Sequence, residues 1–293
     1  MEKVIKHHFN KKVISKTELD SRHEVYLLVL EDDSKLIFRA ETNYYDIFIK
    51  EKYFFDEINK SIGKVCPEVL FINKGSCLYN KDFQIEEFIE GITLNEYLFK
   101  CSDEEKRIIY FKIGQLVAKV HNIEINKDNS MIKDRTSFRE YFTNKLQTNL
   151  TNILKNNLIT NEEINIICNK MKTIDSKYEY SFMHLDIRPQ NIIMNNDSLF
   201  LIDAETYDFG NPIKELAFMS LEWSYWEMFD VVLEGYKTIK NIDINQESLF
   251  DYYRLEWIAD LLDMHYNYGC KDNTTEKFLS LFNDIKNRLL NTK

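Results

Sequence analysis

The stretch Phe182-Met-His-Leu-Asp-Ile-Arg-Pro-Gln-Asn-Ile-Ile-Met-Asn-Asn-Asp-Ser-Leu-Phe-Leu-Ile-Asp-Ala-Glu205 decides how this chain reads. It parses as a short loop, an apolar run Ile192-Ile193-Met194, a turn Asn195-Asn196-Asp197-Ser198, and a second apolar run, Leu199 to Ile202. Two apolar runs around a polar turn predict a β-hairpin. That hairpin returns Asp203 to the side of Asn191. A carboxylate directly after a wholly apolar strand needs a partner or a cation. The plain alternative is a surface loop followed by an ordinary hairpin.

His184, Asp186 and Asn191 have the spacing H-x-D-x-x-x-x-N of a kinase catalytic loop. The chemistry explains the spacing. Phosphoryl transfer asks the protein for a carboxylate that orients the acceptor hydroxyl and takes its proton late. It also asks for oxygen ligands to the Mg²⁺ of the triphosphate. Asp186 suits the first task. Asn191 and Asp203 suit the second, because Mg²⁺ takes a few protein oxygens beside phosphates and waters.

These residues resemble the aminoglycoside phosphotransferase and choline kinase-like group of small-molecule kinases. The resemblance is carried by His184-Leu185-Asp186, Asn191-Ile192-Ile193, Ile202-Asp203-Ala204-Glu205, Gly210-Asn211-Pro212 and Glu215-Leu216-Ala217. At the position of Asp203-Ala204-Glu205 a protein kinase would instead show D-F-G, followed later by A-P-E. The resemblance spans roughly residues 20 to 240 and is strongest at 182–217. It implies an α+β, bilobal protein-kinase-like fold with the nucleotide in the cleft. An N-terminal nucleotide lobe (1–90), built of an antiparallel sheet plus helix, would precede a mainly helical catalytic and substrate lobe (91–293).

The whole-chain totals are compatible. The chain has 293 residues, 44% of them hydrophobic, enough for a full core. A formal net charge of −10 argues against a nucleic acid or an anionic membrane as partner. Cys66, Cys77, Cys101, Cys168 and Cys270 are scattered, without C-x-x-C spacing, and read as reduced thiols in a cytoplasmic protein. The first residues lack the apolar core of a signal peptide, and no window is long and apolar enough to span a membrane.

Val25–Leu30 and Lys35–Ala40 predict a hairpin around Glu31-Asp32-Asp33-Ser34. Arg39 lies in its second strand, where a kinase places the cation for the α- and β-phosphates, usually Lys. Its plain reading is an exposed strand arginine. Tyr45 to Lys60 is helical, with Ile47, Phe48, Glu51, Phe54, Phe55 and Ile58 on adjoining faces. Glu51 on that apolar side calls for a partner, and Arg39 is the candidate; Glu57 is the alternative. The loop Thr17–His23 should cover the phosphates, yet it contains no glycine, so backbone approach is harder there. Ser21 is its candidate contact. Gln84 to Gly91 reads as a strand ending at a glycine. The resemblance makes it the hinge, with Glu87, Phe88 and Ile89 on the purine; Ile85 and Phe88 also read simply as core.

Capping boxes at Ser102-x-x-Glu105, Ser137-x-x-Glu140 and Thr160-x-x-Glu163 open helices to about His121, near 138–155 and over 161–174. His121 reads as structural. A long helical pattern runs from Pro212 to about Lys240, and another over about Glu247 to Tyr268. Both mix carboxylates with aromatics, which suits an ammonium-bearing substrate. Asp208, Glu222, Trp223, Trp226 and Glu227 are the substrate candidates; each carboxylate alone also reads as a solvated helix face. The expected activity is transfer of the γ-phosphate of ATP or GTP, with Mg²⁺, to a hydroxyl of a small cationic molecule. An aminoglycoside leads, ahead of choline or another hydroxy metabolite. A non-catalytic kinase-like scaffold is the reading of another class, motivated by the glycine-free loop and by Arg39 in place of Lys.

Overall fold

The computed structural model describes residues 1–21, 23–125, 138–174, 181–221, 228–242, 244, 248–269 and 274–291. A short helix α1 (Glu2–Phe9) leads into β1 (Val13–Glu18), β2 (Glu24–Leu30) and β3 (Lys35–Glu41). After helix α2 (Tyr45–Ile62) come β4 (Val69–Asn73) and β5 (Asp82–Glu87). These five strands form one antiparallel sheet in the order β1-β2-β3-β5-β4.

Strand alternation sets what each face carries. Leu36, Phe38 and Ala40 of β3, with Phe83 and Ile85 of β5, pack under Val4 and Ile5 of α1. The alternate residues Arg39 and Gln84 are register partners and point the other way, toward α2. Helix α2 buries Phe48, Glu51, Phe54, Phe55 and Ile58 at spacings of three and four. It has no side-chain cap of its own; Asp82 instead accepts the N–H groups of Tyr44 (2.8 Å) and Tyr45 (3.0 Å). This cross-strand cap fixes the height of α2 above the sheet, and so the position of Glu51.

The remainder is mostly helical. It begins with β6 (Ile92–Thr93), α3 (Leu94–Leu98), α4 (Asp103–His121), α5 (Phe138–Asn152) and α6 (Asn161–Thr173). Then come β7 (Ser181–Met183), β8 (Ile192–Asn195), β9 (Ser198–Leu201), β10 (Asp208–Gly210) and α7 (Ile213–Met219). Helices α8 (Phe229–Lys237), α9 (Phe250–Asn267) and α10 (Thr275–Asn291) complete the chain. Both the Ser102 and the Thr160 capping boxes form, whereas Ser137 lies outside the described residues. The β8–β9 hairpin pairs with β6, and β7 pairs with β10. Phe54, Phe55 and Ile58 of α2 belong to the core of this helical part, and the Leu201 N–H donates to Val65 O at 2.8 Å. The helix carrying Glu51 is thus seated beside the β8–β9 hairpin.

Two expectations need correction. The helix foreseen from Pro212 to Lys240 is broken: α7 ends at Met219 and α8 starts at Phe229. The amphipathic pattern runs through the break and hides it. The strand foreseen over Gln84 to Gly91 ends at Glu87, because its ladder partners β3 and β4 stop there.

Candidate active site

The hairpin places the predicted carboxylates. Ile192 pairs with Leu201, and the Ile202 N–H donates to Asn191 O at 3.0 Å, so Asp203 emerges beside Asn191. The His184 ring donates from Nε2 to Ile202 O at 3.1 Å, tying the His184–Asn191 loop to the turn that holds Asp203. Asn191 Nδ2 donates to Asp186 Oδ2 at 2.7 Å and to Asp186 O at 3.0 Å. Arg188 Nη2 donates to the same Oδ2 at 3.0 Å. Burial pushes the Asp186 carboxyl above its ordinary range; Arg188 and Asn191 pull against this, while Asp203 adds to it.

Arg39 reaches down from the sheet. Its Nη1 donates to Glu51 Oε1 (2.9 Å) and Oε2 (2.7 Å), and its Nη2 donates to Asp203 Oδ1 (3.0 Å). Glu57 instead sits near Lys60 at 3.5 Å on the helix surface. The guanidinium is buried, which opposes its charge. Glu51, Glu86 and Asp203 more than offset this and hold the arginine firmly protonated. Glu51, with no exposed surface, also accepts Gln84 Nε2 (2.9 Å) and the Ala204 N–H (2.8 Å). Asp203 has a left-handed backbone, φ 61°, which the Ala204 hydrogen bond stabilises. Glu86 shares Gln84 Nε2 (3.0 Å). Its carboxyl is pushed up to about 8 by burial and by the Glu51 and Asp203 charges, against the pull of Arg39 and Gln84.

His23, at the end of the glycine-free loop, reaches Glu205, which lies 3.9 Å from Arg39. Ser21 is exposed, and its Oγ accepts the His23 N–H at 3.3 Å. His23 spans Glu41 (3.2 Å) and Glu205 (3.4 Å), and Tyr44 donates its hydroxyl proton to Glu205 at 3.1 Å. Past β5, Phe88 and Ile89 lie outside regular secondary structure ahead of Gly91, where φ is 141° and an added Cβ would lie 2.3 Å from Met194 O. Glu87 holds Lys64 at 2.6 Å.

Asp186 and Arg188 share a small pocket with Leu185, Glu215, Phe218 and Trp257. Phe218 and Trp257 stack with centroids 4.4 Å apart. Asp208 does not line this pocket; it sits in β10 opposite Met183. Glu222, Trp223, Trp226 and Glu227 lie outside the described residues. Glu215, within the acidic helix read from sequence, lies at the wall of this pocket but is buried, its carboxylate accepting the Leu185 N–H. Arg188, His23, Tyr44, Phe218 and Trp257 were not singled out from sequence as site residues. Arg188, two residues from Asp186, had a local signal, and Trp257 was among the aromatics of the second acidic helix.

Among the described residues, no group of three or more His, Cys, Asp or Glu side chains gathers as a metal cage. A Mg²⁺ that arrives with a nucleotide needs only one or two protein oxygens. The Asn191 amide oxygen and the partly exposed Asp203 carboxylate fit that need.

The sequence profile of the phosphotransferase enzyme family (APH) matches residues 20–238, most of the chain. The chain belongs to this phosphotransferase family. No curated protein sequence matches it. Among solved structures, it resembles a thermostable mutant of aminoglycoside phosphotransferase APH(4)-Ia in ternary complex with ADP and hygromycin B. That match has a TM-score of 0.73 and 13% identity, and covers 100% of this chain and 99% of that one. Spectinomycin phosphotransferase APH(9)-Ia with ADP and spectinomycin matches at TM-score 0.65 and 12% identity, over 99% and 96% of the two chains. The gentamicin–APH(2")-IIa complex matches at 0.59 and 19%, over 100% and 97%. At such identities the likeness is one of fold, and the fold is that of the aminoglycoside kinases.

Proposed function

We propose that this phosphotransferase moves the γ-phosphoryl group of ATP or GTP to a hydroxyl of a small cationic molecule, an aminoglycoside first among candidates. The observation that carries the reading is the convergence of Asp186, Asn191 and Asp203 beneath the Arg39–Glu51 pair. Mg²⁺ held by Asn191 and Asp203 would neutralise charge on the phosphates. Arg39 exchanges Asp203 for the α- and β-phosphates while Glu51 keeps it in place. Asp186 orients the acceptor hydroxyl and accepts its proton late, its rotamer held by Asn191 and Arg188. The backbone of Glu87, Phe88 and Ile89 takes the purine, and the Ser21 loop covers the phosphates. On this reading residues 1–90 serve the nucleotide and 91–293 the acceptor, in the cytoplasm. Asp208, Glu222 and Glu227 supply negative charge for the acceptor. Trp223 and Trp226, with the half-buried Trp257, supply aromatic faces for its ammonium groups.

Release of nucleoside diphosphate tests this. ATP and GTP with Mg²⁺ are offered against aminoglycosides, choline and small hydroxy metabolites. Turnover with one acceptor, lost in Asp186→Ala, is the expected result. Nucleotide neither bound nor turned over would sink the reading and leave a scaffold.

A further inference from the structure

We propose that His23 binds the phosphates of the nucleotide, and that Glu205 holds its ring at the mouth of the cleft until a phosphate takes that carboxylate's place. This role rests on the phosphotransfer reading above.

The loop that carries His23 has little backbone to offer an anion. It joins β1 to β2 without a glycine, so every residue in it carries a side chain that keeps the main chain away from a ligand. The amides at its two ends are already used. The Leu19 N–H donates to Val25 O at 2.9 Å, and the His23 N–H donates to Ser21 Oγ at 3.3 Å. A phosphate held here must therefore be held largely by side chains. Arg22 lies outside the described residues; among the described residues of the loop, His23 is the one that can carry a positive charge.

The ring already sits on an anion. Its Nδ1 lies 3.2 Å from Glu41 Oε2, and its Nε2 lies 3.4 Å from Glu205 Oε2. A ring with a proton on each nitrogen serves both carboxylates. Glu41 belongs to β3, the strand paired with β2, and its other oxygen accepts the Thr42 N–H at 2.7 Å. It anchors the ring from the sheet. Glu205 comes from the other side of the cleft, two residues past Asp203. The same Glu205 oxygen accepts the Tyr44 hydroxyl proton at 3.1 Å and lies 3.9 Å from Arg39 Nη2. Three donor groups of the N-terminal part thus converge on one carboxylate oxygen. Arg39 makes the same kind of contact to Asp203, at 3.0 Å. Carboxylate and phosphate oxygens take the same charge-assisted hydrogen bonds. Donors gathered on one anion, at the mouth of a cleft read as a triphosphate site, are a set that a phosphate can inherit. At 22% exposure the His23 side chain is within reach of a ligand. Glu41 keeps one ring nitrogen while the other changes partner.

The test measures equilibrium binding by the full chain, with Mg²⁺, of ATP and GTP. The diphosphate, monophosphate and nucleoside of whichever binds tighter are measured beside it. His23→Gln keeps a polar side chain and removes the charge. We expect triphosphate affinity to fall about ten- to a hundredfold, the scale of a hydrogen bond to a charged group, and nucleoside affinity to change less than about twofold. The loss should shrink as phosphates are removed. His23→Lys restores a cation and should recover most of the affinity. Glu205→Gln takes away the competing charge and should tighten triphosphate binding about two- to fivefold, but only while His23 is present.

No loss in His23→Gln, an equal loss for nucleoside and triphosphate, or the same tightening by Glu205→Gln without His23 would overturn the proposal. So would a lowered melting temperature with nucleotide affinity unchanged, which would leave His23 a structural tie between the loop and Glu205. All of these results leave the phosphotransfer reading standing. That reading fails instead if the unsubstituted protein binds neither ATP nor GTP, and the role of His23 fails with it.

Discussion

Two buried glutamates flank the cleft and do the same local job with opposite partners. Glu51 accepts the N–H of Ala204, just after the left-handed Asp203; Glu215 accepts the N–H of Leu185, itself left-handed. Each therefore sets the backbone that aims one carboxylate. Behind Glu51 stands Arg39, a permanent cation that also touches Asp203 and faces the cleft. Behind Glu215 stand His121, 2.7 Å from its carboxylate, and Tyr236, 2.9 Å from that ring, both sealed from solvent. The first network can exchange a protein contact for a ligand, and the second can only hold. The comparison separates binding from alignment within one site.

The largest effect should come from breaking the charged side. Glu51→Ala leaves Arg39 without its main counter-charge in a buried place, and should cost about 3–5 kcal/mol in denaturant unfolding and weaken nucleotide binding. Glu215→Gln leaves a buried donor unsatisfied but no bare charge. It should cost about 1–3 kcal/mol in the same measurement, with nucleotide affinity kept. If the two variants lose nucleotide affinity equally, the division between binding and alignment is wrong. Gly235→Ala tests the second network from its far end, since a Cβ there would lie 2.0 Å from Phe111 O of α4. Forcing α8 away from α4 should cost about 1–3 kcal/mol in thermal unfolding and lower kcat without changing nucleotide KM.

The smallest effects sharpen the charged side through two carboxylates of β5. Three backbone N–H groups, from Gly75, Tyr44 and Tyr45, hold the Asp82 carboxyl below its ordinary value despite some burial. Its contribution is therefore present above the unfolded pKa and lost as pH falls through the folded one. Asp82→Ala should cost about 1 kcal/mol near neutrality and nothing in strong acid. Glu86 has the opposite sign, its carboxyl being pushed up to about 8 from 4.5. Its stabilisation is complete below the unfolded value and disappears as pH rises toward the folded one. Glu86→Gln should therefore gain melting temperature relative to the unsubstituted protein between about pH 5 and about pH 9.

What the sequence disclosed is what chemistry forces into local spacing. The H-x-D-x-x-x-x-N loop, the hairpin behind it and Asp203 lie within two dozen residues, so their pattern survives in one dimension. The Arg39–Glu51 contact was legible because helical periodicity put an acid on an apolar face that could not leave it unpaired. The second network was not legible. His121 lies 94 residues from Glu215 and 115 from Tyr236, and nothing local to any of them announces the others. A left-handed residue usually advertises itself as glycine or asparagine; leucine at 185 gives no such sign. The break between α7 and α8 stayed hidden because the apolar periodicity continues past Met219.

The central claim is that Asp186 and Asp203 transfer a phosphoryl group between nucleotide and acceptor. The most direct measurement follows radiolabelled γ-phosphate from Mg·ATP or Mg·GTP onto the acceptor, in the unsubstituted protein, Asp186→Ala and Asp203→Ala. The account predicts label on the acceptor hydroxyl, lost in both variants, with nucleotide still bound by Asp186→Ala. Label transferred equally well by Asp186→Ala would contradict it.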